Sequence, residues 1–204
     1  MIRRHPSSNT LLRLAAGSLP GPHTRVVQVH LAACAHCREQ VERYEAVGGA
    51  LLADMAPVAP AADMLDRVLA RLDEQVVETQ PEPPDLSVAG VATGHWRRLA
   101  PGIRIMRLAR RDPTGTRLDL LCVAPGVALP LHTHSGFETT CIMQGSYEDE
   151  TGEYGLHDFA EGEPGRLHRP VAGPGQDCIC ILATTGALRP DSWMARMFMR
   201  LVDL

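Results

Sequence analysis

Two spacings of apolar residues run along the chain. From Ser7 to about Val77 they recur at helical intervals: Leu11, Leu12 and Leu14, then Val26, Val27 and Val29. Val41, Tyr44, Val47, Leu51 and Leu52 share a stripe opposite Arg38, Glu39, Glu42 and Arg43, and Met64, Leu65, Val68, Leu69 and Leu72 form another amphipathic stretch. This half is expected to be all-helical. Ser7, Ser8 and Asn9 are candidate N-caps of a first helix, and Gly17 with Leu19-Pro20-Gly21-Pro22 supplies its stop and turn. A second helix is expected over about 23–30, and a third from Cys34 through Ala53, with Gly48-Gly49 as a bend. A fourth follows the interruption at Pro57 to Pro60.

Glu78-Thr79-Gln80-Pro81-Glu82-Pro83-Pro84-Asp85 has no core-forming pattern and reads as a linker. Beyond it the pattern becomes strand-like, in short apolar runs punctuated by Gly and Pro: Ile103 to Leu108, Leu118 to Val123, Thr139 to Met143 and Cys178 to Ala183. Short strands at this density imply a β-sandwich or small barrel. The expected organisation is a helical domain over 1–77, a linker over 78–89 and an all-β domain over 90–204. With 204 residues, each unit has enough apolar sequence for a core of its own.

Charge narrows the function. Twenty Lys and Arg against twenty-four Asp and Glu leave a formal charge of −4, without the basic footprint that captures nucleic-acid phosphates. A role in transcription would therefore run through a protein partner. No run resembles a signal peptide or reaches membrane-spanning length, so the expected location is the cytoplasm. Six cysteines, two of them in a Cys-x-x-Cys beside histidines, suit metal binding under reducing conditions better than a disulfide framework.

The first candidate metal set is His30, Cys34 and Cys37, spaced so that all three side chains converge. Structural zinc favours four tetrahedral N and S ligands, so one more is needed. His5 is preferred for it, with His23 and His36 as rivals. A redox role for Cys34-x-x-Cys37 is disfavoured, because thioredoxin-type motifs need a βαβ setting and these flanks are helical. His-x-x-x-Cys-x-x-Cys in a short helical domain resembles the zinc-binding anti-sigma domain of bacterial regulators. That resemblance covers about residues 1–77 and implies His5, His30, Cys34 and Cys37 as zinc ligands.

The second set lies in the strand-rich half. His132 and His134 alternate along a strand and so face one side, and Glu138 has the same parity. The run from Gly126 through His132, His134, Glu138 and Gly145 resembles the first cupin motif in every spacing. Gly165-Arg166-Leu167-His168 resembles the second, with His168 as its histidine. Two departures are Glu163, where cupins usually have proline, and Ala172, where asparagine is expected. Three imidazoles and a carboxylate suit Zn, Mn, Fe or Ni. Cys178 and Cys180, and Met194, Met197 and Met199, are read as packing residues rather than redox sensors.

A zinc anti-sigma domain followed by a cupin is the arrangement of ChrR-type anti-sigma factors. The likeness extends through Ala46 to Leu52, Gln144 to Thr151, Pro170 to Ala172 and Asp177 to Cys180. It implies a jelly-roll barrel after the helices and inhibition of an extracytoplasmic-function sigma factor by the first domain. It also implies a response to singlet oxygen or organic peroxides through the second, in a transcriptional regulator rather than an enzyme. The competing expectation is a metal-dependent cupin dioxygenase or isomerase, in which His157 and Glu161 approach the metal as acid or base. A third is a barrel that serves only as a scaffold.

Overall fold

The computed structural model describes residues 1–72 and 95–190. The expected linker over 78–89, and Met194, Met197 and Met199, lie outside the described residues. Among the described residues four helices precede eleven short strands: α1 (Ser8–Ala15), α2 (Gly21–Ala33), α3 (Ala35–Ala53) and α4 (Met64–Leu72). The Ser7 hydroxyl caps α1 by accepting from the Thr10 N–H at 3.2 Å. At the other end Gly17, at φ +64, turns the chain so that the Gly17 and Ser18 N–H groups close on the carbonyls of Leu14 and Arg13. Pro22 sits in the first turn of α2, where its missing N–H costs nothing, so this helix starts earlier than its apolar spacing predicts. Gly48 and Gly49 were expected to bend the third helix, but it continues through both as α-helix to Ala53.

The strands are β1 (Arg97–Ala100), β2 (Ile103–Ala109), β3 (Thr116–Val123), β4 (His132–His134), β5 (Glu138–Gln144), β6 (Tyr147–Asp149), β7 (Gly152–Tyr154), β8 (Phe159–Gly162), β9 (Val171–Ala172), β10 (Cys178–Thr185) and β11 (Leu188–Pro190). They form a six-stranded sheet ordered β1-β2-β3-β10-β5-β8, facing a β11-β4 pair and a β7-β6-β9 sheet. This is the cupin barrel that the motifs imply. Among the described residues no helix is long and apolar enough to cross a membrane.

Along β3 and β10 almost every residue is buried, on both parities, so both faces of the large sheet are covered. The inward face carries Val123, Cys178, Cys180 and Leu182 in a core inside the barrel. The outward face carries Leu118, Leu120, Cys141, Ile181 and Ala183, which join Leu11, Val26, Val27 and Val41 of the helices in one cluster. The helical lobe is thus packed on the barrel wall, and the two expected domains share a hydrophobic core.

His23 marks the centre of that contact. Its ring is buried, with Nδ1 2.9 Å from the Thr139 hydroxyl on β5 and Nε2 2.9 Å from the Thr185 hydroxyl on β10. Burial, reinforced by Arg13, lowers its pKa to about 4. The unfolded imidazole titrates near 6.5, so the folded state resists a proton that the unfolded state accepts. Stability tied to neutral His23 is intact above pH about 6.5 and declines as pH falls towards 4, by about 3 kcal/mol in all. Thermal unfolding of wild type and His23→Asn at pH 7.5 and 5 checks this: the acid-induced drop should shrink in the variant, and an equal drop would place the titration elsewhere.

Candidate metal centres

The first candidate centre is assembled from three segments. Cys34 stands between α2 and α3 in extended geometry, at φ −112 and ψ 99, so the helices separate there instead of presenting one continuous face. That break lets His30, in the last turn of α2, meet Cys37, in the first turn of α3: Nε2 lies 3.3 Å from Sγ. His5 arrives on the N-terminal segment, its Nδ1 3.4 Å from Cys34 Sγ and 3.3 Å from Cys37 Sγ. Ligand atoms of all four residues lie within 4.8 Å of one another. The rivals stand apart from this group: His23 is engaged by the two threonines, and His36 is exposed, its ring 5.4 Å from that of His5.

The donor chemistry fits zinc. N and S atoms bound tetrahedrally at about 2.0–2.3 Å from one centre stand roughly 3.3–3.7 Å apart, as these do. Burial holds the His30 imidazole in its neutral, metal-binding form and pushes the Cys37 thiol up to about 12. A cation at the focus of the four groups would reverse the second effect by stabilising thiolate.

The barrel supplies the partners behind these ligands. His30 Nδ1 donates to the His157 carbonyl at 2.8 Å, which turns Nε2 towards the thiols. His157 holds that carbonyl in place with φ +64, a left-handed conformation unusual for a non-glycine residue, and its own N–H is tied to the Ile142 carbonyl of β5 at 2.8 Å. His5 is positioned by a strap over β8. The Arg3 and Arg4 N–H groups donate to Asp158 Oδ1 at 2.6 and 3.0 Å, and the Phe159 N–H donates to the Arg4 carbonyl. Burial alone would raise the Asp158 pKa, but the N–H donors of Gly155, Arg3 and Arg4 hold it below the usual carboxylate value.

The second candidate centre lies inside the barrel. His134 Nε2 is 2.9 Å from His168 Nε2, which is 3.0 Å from His132 Nε2, and the three form a metal-competent group. Nitrogens held at about 2.0–2.1 Å from one ion in cis positions stand about 2.9 Å apart, so the spacing fits a shared transition-metal ion. Two of the histidines are oriented from behind: His132 Nδ1 donates to the Pro130 carbonyl at 2.7 Å, and His168 Nδ1 lies 3.4 Å from Asp149 Oδ2. Burial lowers the His132 pKa to about 4 and that of His134 as well, keeping both neutral. Gly162 leaves room for His134, since a Cβ there would sit 3.4 Å from its Cδ2 and 3.2 Å from Glu138 Cβ.

Glu138 is not brought into that group. Its Oε2 accepts from the Thr184 hydroxyl at 3.0 Å and lies 3.5 Å from His134 Nδ1, behind the imidazole. Glu161, which the enzyme expectation needs near the barrel metal, faces the helical lobe instead, and His157 meets that lobe through its backbone carbonyl. Glu161 pairs with Thr139 across β5 and β8, on the outward parity, and its Oε1 accepts from the Ser7 N–H at 2.9 Å. The supporting roles of His157 and Asp158 carry no sequence signal, because each acts through a backbone group or on segments about 130–155 residues away.

Comparison with known proteins agrees with this architecture. The model of the ChrR cupin-like domain matches residues 86–188. The anti-sigma-E factor ChrR of Cereibacter sphaeroides is 36% identical over 208 residues, covering 96% of each chain. Among solved structures, this chain is similar to a crystal structure of Rhodobacter sphaeroides SigE in complex with the anti-sigma ChrR, at TM-score 0.75 and 36% identity, over 90% of this chain and 100% of that one.

Proposed function

Because this chain belongs to the ChrR family of anti-sigma factors, we propose that its helical lobe binds and inhibits an extracytoplasmic-function sigma factor, and that an oxidative signal met by the cupin barrel releases it. The observation that carries the first part is the face left over on α4. Leu65, Val68, Leu69 and Leu72 recur at i, i+3, i+4 and i+7, and all are exposed. Val47, Leu51 and Leu52 extend exposed apolar surface along α3. An apolar stripe of this kind is stabilised when it enters a partner's groove. The partner is cytoplasmic, as is the chain on this reading, and residues 1–77 form the inhibitory unit, joined through 78–89 to the sensing unit over 90–204.

In this scheme His5, His30, Cys34 and Cys37 hold a structural zinc. His132, His134 and His168, with Glu138 as the remaining candidate ligand, hold zinc or another divalent transition metal. An ion bound in the barrel would supply a Lewis-acidic, and for iron or manganese a redox-active, centre to an incoming oxidant. The engagement of Glu161 by the helical lobe supports a sensor over an enzyme, since its carboxylate is held by the Ser7 N–H rather than beside the three histidines.

Strand β5 supports transmission. Glu138 at its start points into the barrel, and the next residue, Thr139, holds His23 of α2. At its far end the Ile142 carbonyl holds the His157 N–H, whose own carbonyl orients His30. The opposing strand repeats the pairing, with Thr184 bonded to Glu138 and Thr185 to His23. A shift of Glu138 therefore reaches both the lobe contact and the candidate zinc site through packed backbone.

The test is a purified complex with the cognate sigma factor, exposed to photogenerated singlet oxygen or an organic peroxide. Wild type should release the sigma factor, and a His132→Ala/His134→Ala variant should bind it equally well and retain it. Equal release from both would remove the barrel from the signal path, and failure of the chain to capture any sigma factor would overturn the inhibitor assignment.

A further inference from the structure

The barrel holds a partly open cavity of about 200 Å³ lined at one side by His132 and His168 of the three-histidine group. Strand register gives it two unlike ends. At one end the rungs are Thr184 with Glu138 and Leu182 with Thr140, and His132 and His168 face the same space. Two rungs further on, Leu121 pairs with Cys180 and Val123 with Cys178, and Ile103 and Leu129 close that end. Arg117 and Asp119 also reach the wall, but the carboxylate lies 3.1 Å from Arg117 Nε and 3.2 Å from Arg107 Nε, so these charges are matched to one another. The cavity thus has an apolar half and a half bearing imidazole and carboxylate.

We propose that this cavity is a binding site for a short aliphatic molecule of about five to seven carbons ending in an oxygen head group. Its chain would lie against Val123, Leu129 and Cys178, with the head at the histidine cluster. The size follows from volume: apolar cavities of about 150 Å³ accept a six-carbon ring, so about 200 Å³ accommodates roughly eight heavy atoms. The polarity follows from the lining. A wholly polar ligand would lose its hydration against the apolar half without compensating partners, whereas an oxygen head placed at the histidine end keeps its polar contacts there. The assignment rests on the sensor reading of the barrel only in that this ligand would be the class of molecule the sensor admits.

Calorimetric titration of the metal-loaded full chain with n-alkanoates and n-alkanols from C2 to C12, without any sigma factor, tests it. Affinity should rise about fourfold per methylene up to about C7 and then stop rising, with the two series showing which head group is preferred. Val123→Phe, which fills the apolar end, should weaken heptanoate binding at least tenfold and leave acetate unchanged. Leu129→Ala should move the length optimum upward by about two carbons, and it decides the matter if the phenylalanine variant fails to fold. Affinity independent of chain length, or an optimum that moves in neither variant, overturns the proposal. Chain-length-dependent binding that never affects sigma release upholds the cavity assignment and sinks the sensor reading, so the two failures are distinguishable.

Discussion

Replacing Cys34 and Cys37 together by alanine is expected to remove the zinc proposed for the His-Cys cluster and to weaken sigma-factor binding at least a hundredfold, without changing the metal content proposed for the barrel. The four-residue cluster joins the N-terminal strap, α2 and α3 at one point, to which the buried residues Leu11, Val26, Val27 and Val41 and the strap's hydrogen bonds to Asp158 and Glu161 also contribute. Structural zinc contributes an apparent binding free energy on the order of 10 kcal/mol, which becomes folding free energy when the unfolded chain has no preformed site. With both thiolates gone, His5 and His30 alone lack the donor set to hold it. Elemental analysis and surface plasmon resonance against the sigma factor check the outcome. Full metal content with unchanged affinity would show that the His-Cys cluster is ordinary packing.

The double substitution Leu65→Asp/Leu69→Asp should also weaken sigma binding at least a hundredfold, by a different route. The two side chains are 67% and 51% exposed, so the free protein loses almost no packing, and its thermal midpoint and metal content should stay at wild-type values. In a complex, two carboxylates placed in an apolar groove are desolvated without partners, at about 1–3 kcal/mol each or more. The pairing of lost affinity with unchanged stability separates a binding face from a structural one. Unchanged affinity would move the inhibitory contact away from α4.

Both lobes were legible in the sequence because each follows a period that the backbone imposes. Leu65, Val68, Leu69 and Leu72 can share a face only on a helix, and His132 and His134 can share one only on a strand. The His5, His30, Cys34 and Cys37 set was also legible, since metal chemistry restricts which residue types can stand together. The packing of the lobes was less so. Leu118 to Val123 and Cys178 to Ala183 read simply as apolar strands, although two-sided burial in an antiparallel sheet already required something to cover the outside. Nothing local identified α2 as the cover, because Val26 and Val27 would serve equally well in a free-standing bundle.

The sequence by itself determined the elements, the two candidate donor sets and the division between helical and β halves, because these depend on spacing and on ligand chemistry along the chain. Tertiary structure alone decided what stands behind the ligands. His157 offers a backbone carbonyl to His30, Asp158 grips the strap carrying His5, and Glu138 sits behind His134 beside Thr184. These depend on main-chain groups and on parity between strands far apart in the chain. Side-chain identity does not encode the first, and residue spacing along one segment does not encode the second.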